Sequence, residues 1–511
     1  MNRLPSYGLL CWLLATTAGC AVGPDFQRPA APDTQRYLAV ELPEHTTWAP
    51  GLAGNAQRLV PGQEVASEWW RAFGSPALDD IVSAALAANP DLQAAEAALR
   101  AARETATAQR GAFWPSLEAG LKATREQEAE PDAAPFTLQT PKLSLSYVPD
   151  VFGGKRRELE ALNAEVDVQH FEREAVYMTL VANVVTTAIE EASVRAQIAV
   201  TQELIALSTQ LLEVTRRQHR AGEVGGIDVA AQETALAQAQ ASLPPLDKQL
   251  AEQRHRLAVL SGRLPSDQPE QRFALEALTL PLELPLSVPA RLVEQRPDIR
   301  AAEAQLHAAS AQIGVAAAAR LPSITLSASV GRSAAKASQL FRAGGSVWDL
   351  GAELLLPVFN GGELLHQQRA AQAAYEQAAA QYRSTVLVAF QDTADTLQAI
   401  VSDAQTLRAA SNAEAAARRS LGMARLQREL GAAPQADLIL AQQSYQESAL
   451  ALVEARASRY SNTVALYQAL GGWWQAPSPP ATPPTAASPL TSTPILTSTP
   501  EASPCVLSTA C

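Results

Sequence analysis

Cysteine is scarce in this chain of 511 residues: the four present sit at positions 11, 20, 505 and 511. Confined to the two ends, they cannot form a disulfide framework through the body. Basic charge is short as well. Forty Lys and Arg against 52 Asp and Glu leave a formal charge of −12, which argues against a nucleic-acid-binding surface. Beyond the first residues no run of about 18 apolar residues occurs, so no helix can span a bilayer. A membrane would have to be reached by a lipid, by a β-barrel, or by both. The six histidines are scattered, no metal ligands recur at a ligating spacing, and no glycine-rich phosphate loop is present. An enzyme has no residue constellation behind it, and no cofactor is expected.

What is present begins with an export signal over residues 1–19. Asn2 and Arg3 form a short polar, basic start, and Leu9 to Ala15 an apolar core too short to span a membrane. Ala18-Gly19-Cys20 then supplies small residues before a cysteine, in the manner of a bacterial lipobox, with Thr17 where Leu is usual. Cys20 is the expected lipidation site, carrying diacylglycerol and an N-acyl chain at the mature N-terminus. Ala21 follows in place of the Asp that often favours inner-membrane retention. An ordinary signal peptide with an incidental cysteine is the alternative. At the other end, residues 476–511 are rich in Pro, Ser and Thr and are expected to be disordered; Cys505 and Cys511 lie there as free or locally paired thiols.

The body is written twice. Residues 90–116 align without a gap to 297–323, sharing Pro90, Asp91, Ala94, Glu96, Leu99, Pro115 and Ser116 with Pro297, Asp298, Ala301, Glu303, Leu306, Pro322 and Ser323. Val151-Phe152-Gly153-Gly154 is echoed in Val358-Phe359-Asn360-Gly361-Gly362, and each half closes near Leu260 and Leu470. A repeat of about 200 residues is too long for a solenoid unit and indicates duplication of a structural half. The divisions that follow are a 20–76 N-terminal segment, a first repeat over 77–265, a linker over 266–288 and a second repeat over 289–475.

Each half reads as helix, hairpin, long helix, tight tip and return helix. Pro90-Asp91 and Pro297-Asp298 are helix starts, with proline in the first turn and an acid near the positive end of the dipole. Pro115 and Pro322 end those helices. The period then changes to two in hairpins over about 115–149 and 322–357. Ile324, Leu326, Ala328 and Val330 alternate with serines and a threonine, and Trp348, Leu350, Ala352, Leu354 and Leu356 oppose Asp349, Gly351 and Glu353. Such alternation suits a transmembrane barrel strand, and equally a half-buried soluble sheet. Four strands cannot close a barrel, so the barrel requires several chains. The long helices run from Gly153 to about Gly222 and from Gly361 to about Gly431, each roughly 100 Å at about 1.5 Å per residue. Their seams are expected at Val200, Leu204, Leu207, Leu211 and Val214, and at Leu387, Phe390, Ala394, Leu397, Val401 and Ala404. Pro244-Pro245 interrupts the first return helix, where a kink or short break is expected near Leu243.

With those elements in view, several phrases taken together resemble the outer-membrane efflux lipoproteins of the TolC-like outer-membrane factor superfamily, in the nodulation-type (NodT) branch. They are Cys20-Ala-Val-Gly-Pro-Asp-Phe-Gln-Arg-Pro29, Trp69-Trp-Arg-Ala-Phe73, Glu294-Gln-Arg-Pro-Asp-Ile-Arg-Ala-Ala-Glu303, Gln312-Ile-Gly-Val315, Pro357-Val-Phe-Asn-Gly-Gly362 and Leu466-Tyr-Gln-Ala-Leu-Gly-Gly-Trp473. The resemblance spans residues 20–475. It implies a mainly α chain with a small β part. In the homotrimer, four strands per chain join a twelve-stranded outer-membrane β-barrel, and the helices form a periplasmic tunnel. It implies further partners: a periplasmic adaptor protein, an inner-membrane pump of RND type, and outer-membrane lipid.

By the same resemblance, the tips at Arg220, Gly222 and Gly431 dock adaptor hairpins, a plain turn being the alternative. Relatives carry acids just past the second tip; here Asp437 is retained, while Leu440 and Gln443 replace the second acid and the basic residue that follow. Asp437, Leu440 and Gln443 are therefore the candidate periplasmic gate, an apolar ring at Leu440 closing by excluding water; seam packing is the alternative for Leu440. The implied function is a passive conduit for drugs or other small solutes. A type I protein-secretion exit duct and a lipid-tethered periplasmic scaffold are the rivals.

Overall fold

The computed structural model describes residues 21–34, 36–127, 135–340 and 345–472. The signal peptide, Cys20, and the C-terminal tail with Cys505 and Cys511 lie outside these. An N-terminal strap leads to a short strand β1 (Arg58–Pro61) and a 3₁₀ turn, Trp69–Phe73. The first half then comprises α1 (Pro76–Ala88), α2 (Pro90–Gly111), β2 (Ser116–Glu126), β3 (Phe136–Tyr147), α3 (Gly154–Arg220), α4 (Gly226–Ala241) and α5 (Leu243–Leu260). The second comprises β4 (Glu283–Leu286), α6 (Pro289–Gln295), α7 (Pro297–Ala318), β5 (Ser323–Arg332), β6 (Ser346–Leu355), α8 (Glu363–Glu429) and α9 (Gln435–Ala469).

Duplication is visible element by element. Helices α2 and α7 are each 22 residues, and α3 and α8 are each 67. The paired starts follow from local chemistry: Asn89 caps α2 by accepting from the Asp91 and Leu92 amides, and Pro90 needs no partner in the first turn. The return helices differ. In the first half, α4 ends at Ala241 and α5 restarts at Leu243 with its prolines in the first turn, so the expected break is found; α9 runs unbroken for 35 residues.

Both long helices pack against α7 and α9 around the main core. There Trp69 stacks on Tyr467 with centroids 5.2 Å apart, beside Trp70, Phe73, Leu397 and Tyr460. The Arg296-Pro-Asp298 phrase lies at this core. Arg296, buried, pairs with Asp298 (2.7 Å) and Asp392 (3.2 Å) and donates to the Ala469 carbonyl at the end of α9 (3.0 Å). Strands β1 and β4 pair in parallel beside this core and tie the strap to the linker between the halves.

The seams correct the sequence reading in part: Leu204, Leu397 and Ala404 are buried as expected, and Leu387 and Val214 are not. On α8 the buried line is Val386, Ala389, Thr393, Leu397, Ile400, Ala404 and Leu407, whereas Leu387 is 71% exposed. On α3 it is Thr201, Leu204, Ser208, Leu212 and Thr215, with Val214 exposed and Leu207 and Leu211 half-buried on a second cluster. Small and hydroxylated residues take the closest contacts because they let helices approach. The hydroxyls of Thr215 and Thr393 are satisfied within the helix, by Leu211 O (2.9 Å) and Ala389 O (2.9 Å), while that of Thr201 is buried without a partner.

Candidate channel wall, tips and gate

The two hairpins form one antiparallel sheet in the order β2-β3-β5-β6. Register decides its faces. Leu117 opposes Leu145, which opposes Ala328, which opposes Leu350; Ala119, Leu143, Val330 and Trp348 form the next row. Side chains of one row share a face, so a continuous apolar surface crosses all four strands. The other face carries Glu118, Ser144, Ser329 and Asp349, with Ser329 bonded to Asp349. Leu350 is 79% exposed and Trp348 75%. The sheet therefore does not have the one covered face of a half-buried soluble sheet: among the described residues nothing covers its apolar side. Among the described residues, no strand pairs with the outer edge of β2 or of β6. Strands of 10–12 residues match the length of a tilted membrane crossing, while no described helix is long and apolar enough to cross one.

The helical hairpins turn at the two predicted tips. Gly222 and Gly431 have φ of +78° and +69°, the left-handed region that closes a helix. Each closure is completed by a bond from the residue beyond, Glu223 N to Gln218 O (2.9 Å) and Ala432 N to Gln427 O (2.8 Å). Arg220 is exposed at the first tip, and Ile227, Leu426 and Leu430 are exposed apolar residues near the two turns. A bond from Gln435 Nε2 to Gln232 Oε1 (2.9 Å), buried, links the two hairpins; Arg428 Nε donates to Gln435 Oε1 (3.0 Å). These glutamines were not singled out by the sequence, since polar residues near a tip read as solvated.

Asp437, Leu440 and Gln443 lie on an exposed face of α9, one turn apart. Leu440 is 64% exposed, while its neighbours Leu438 and Ala441 pack on Leu421 and Ala424. Within the protomer Leu440 is thus not a seam residue. The side chain of Gln442, beside it, is buried with both polar atoms unpaired.

Two ionisable features of the helical body escaped the sequence. Arg459 is fully buried on α9 and donates to Ala53 O, Asn55 O, Thr46 Oγ1 and Gln57 Oε1. Glu174, on α3, lies 3.1 Å from His170; burial pushes its carboxyl up to about 7 against the opposing pull of Arg173 and Arg300. Burial, with Arg173 and Arg103 nearby, lowers the His170 imidazole. Among the described residues no group of His, Cys, Asp or Glu could hold a metal ion.

The chain is similar to known proteins along most of its length. A family described as outer membrane efflux protein matches residues 81–263 and 288–472, once per half. The pyoverdine export outer membrane protein OpmQ of Pseudomonas aeruginosa is 31% identical, over 83% of this chain and 92% of its own length. The toluene efflux pump outer membrane protein TtgC of Pseudomonas putida is 28% identical over 90% and 95%. Among solved structures, the outer-membrane channel OprN superposes with a TM-score of 0.80 at 26% identity, covering 89% of this chain and all of that one. The open state of the Neisseria gonorrhoeae MtrE outer membrane channel gives 0.75 at 26%, covering 89% and 98%.

Proposed function

The chain belongs to the outer membrane efflux protein family, and from that premise we propose that three copies close into one passive conduit. It is an outer-membrane channel of an efflux system, and members of this family are channels, not enzymes. The observation that carries the trimer is the sheet: four strands, one unbroken apolar face and two unpaired edges. An exposed edge in lipid leaves backbone groups without partners at several kcal/mol each. Joining β2 of one copy to β6 of the next removes every edge, and three times four strands gives twelve. The polar face, with Glu118, Ser144, Ser329 and Asp349, then lines the lumen.

The long helices continue the lumen into the periplasm. Arg220, Gly222 and Gly431 form the surface offered to a periplasmic adaptor, which couples the channel to an inner-membrane pump of RND type. Asp437, Leu440 and Gln443 form the closed end, with three Leu440 side chains narrowing the axis. Cys20 carries the acyl anchor in the outer membrane. The relatives are named for pyoverdine and for toluene, a polar siderophore and an apolar solvent. Cargo chemistry so different on one kind of duct supports a conduit for small solutes whose selection lies in the pump.

The test is purification in detergent. Expected are particles of three chains that run as heat-modifiable trimers and give step currents in planar bilayers. A monomer that stays soluble without detergent and passes no current would refute the reading.

A further inference from the structure

The segment that follows Cys20 lies on the surface of the body, with Ala21, Val22 and Phe26 half-buried and the rest of residues 21–28 exposed, and it is held there by a set of specific contacts. The Val22 amide donates to Phe152 O at 3.1 Å. The Arg157 side chain, 6% exposed, donates Nε to Val22 O (3.2 Å), Nη2 to Gly23 O (3.3 Å) and to Asp25 Oδ1 (2.7 Å), and Nη1 to Glu160 Oε2 (2.8 Å). Phe26 stacks on His307 with centroids 4.4 Å apart, and the imidazole is held 3.0 Å from Glu160 Oε1. Arg28 pairs with Glu303 at 2.9 Å.

The walls admit no side chain at the points of contact. A Cβ on Gly314 would lie 2.7 Å from Arg157 Cγ and 2.9 Å from Val22 O; one on Gly153 would lie 2.7 Å from Ala21 Cα; one on Gly23 would lie 2.5 Å from Gly314 Cα. Glycine on both sides of a contact marks a close backbone approach. Gly153, Arg157 and Glu160 belong to the first half, and Glu303, His307 and Gly314 to the second. The two hairpins above are joined by the shortest ladder in the sheet, Lys142–Tyr147 against Leu326–Gly331, compared with Ser116–Glu126 and Ser323–Arg332 for the ladders within each hairpin.

We infer that residues 21–28 are a clip occupying an intramolecular peptide site formed by Gly153, Arg157, Glu160, Glu303, His307 and Gly314, which fastens the two halves together at the base of the sheet. Its ligand is an extended peptide with a small residue at its close approach, a carboxylate two residues later and an aromatic ring next. The Arg157 guanidinium, largely removed from water, reads two backbone carbonyls and the solvent-exposed Asp25 carboxylate together. The site holds the segment without help from an acyl chain.

Chymotryptic nicking after Phe26 in the full chain, purified in detergent, tests this, because cleavage tracks the population of the released segment. Gly23→Val, which alters only the clip, and Arg157→Ala are each expected to speed nicking at least about tenfold, while Cys20→Ser leaves the wild-type rate. Equal rates in wild type and Gly23→Val would overturn the inference. So would Cys20→Ser nicking as fast as Gly23→Val, since the lipid and not the site would then be the fastening. Should Arg157→Ala fail to fold, Gly23→Val decides alone.

Discussion

Arg459 shows how far a single side chain can organise its surroundings. In the sequence it sits among Ala455-Arg456-Ala457-Ser458 and has the look of a solvated helix face; in the fold it is 2% exposed and answers four acceptors from the strap. Nothing in a helical period distinguishes it, because its partners lie about 400 residues away in sequence. Arg459→Met keeps the volume and strands those acceptors in the core. A loss of about 3 kcal/mol or more is expected, read as a lower guanidinium midpoint of the detergent-solubilised protein. Glu174 offers a second prediction. Its folded pKa of about 7 exceeds its ordinary 4.5, so the folded state holds the proton more firmly and stability falls as pH rises from about 4.5 to about 7, then levels. His170 is shifted down and acts oppositely, withdrawing stability as pH falls below about 6.5. Glu174→Gln should abolish the first slope and stabilise the protein at pH 8 by on the order of 2 kcal/mol, visible as a higher unfolding temperature at pH 8 than wild type and little difference at pH 5.

At the scale of elements, the strands were the most legible part. Alternation in 323–330 and 348–356 assigns each residue a face, and register then adds the faces of neighbouring strands without conflict. The helical seams were less so. Large apolar residues mark a stripe, but the buried line also takes in Ala389, Thr393, Ser208 and Thr215, where no hydropathy pattern points. The sheet gives a paired test. Leu350→Lys puts a charge on the lipid face and should cost about 2–4 kcal/mol at mid-membrane depth, seen as reduced outer-membrane insertion; Ser327→Lys, on the opposite face, should insert normally. The proline break gives another. With Pro244 and Pro245 both replaced by Ala, positions 244 and 245 gain the amides that proline lacks and can pair with the preceding turn, and hydrogen exchange at 243 and 246 should slow towards that of the matching stretch of α9.

For the whole molecule, duplication was plain from the shared Pro-Asp and Pro-Ser phrases, and two hairpins forced the need for more than one chain. The position of Leu440 was not plain: periodicity allowed a packed residue or a lining one, and only the burial of Leu438 and Ala441 on either side turns it outward. Leu440→Asp should raise single-channel conductance and cation preference, three added carboxylates wetting the constriction; unchanged current and selectivity would remove Leu440 from the gate.

Duplication and one proline pair leave twin return legs of unequal continuity. The first is interrupted at Ser242, between Ala241 and Leu243, whereas the second runs through all 35 residues of α9. In the trimer proposed above, jointed and unjointed legs would alternate around the axis.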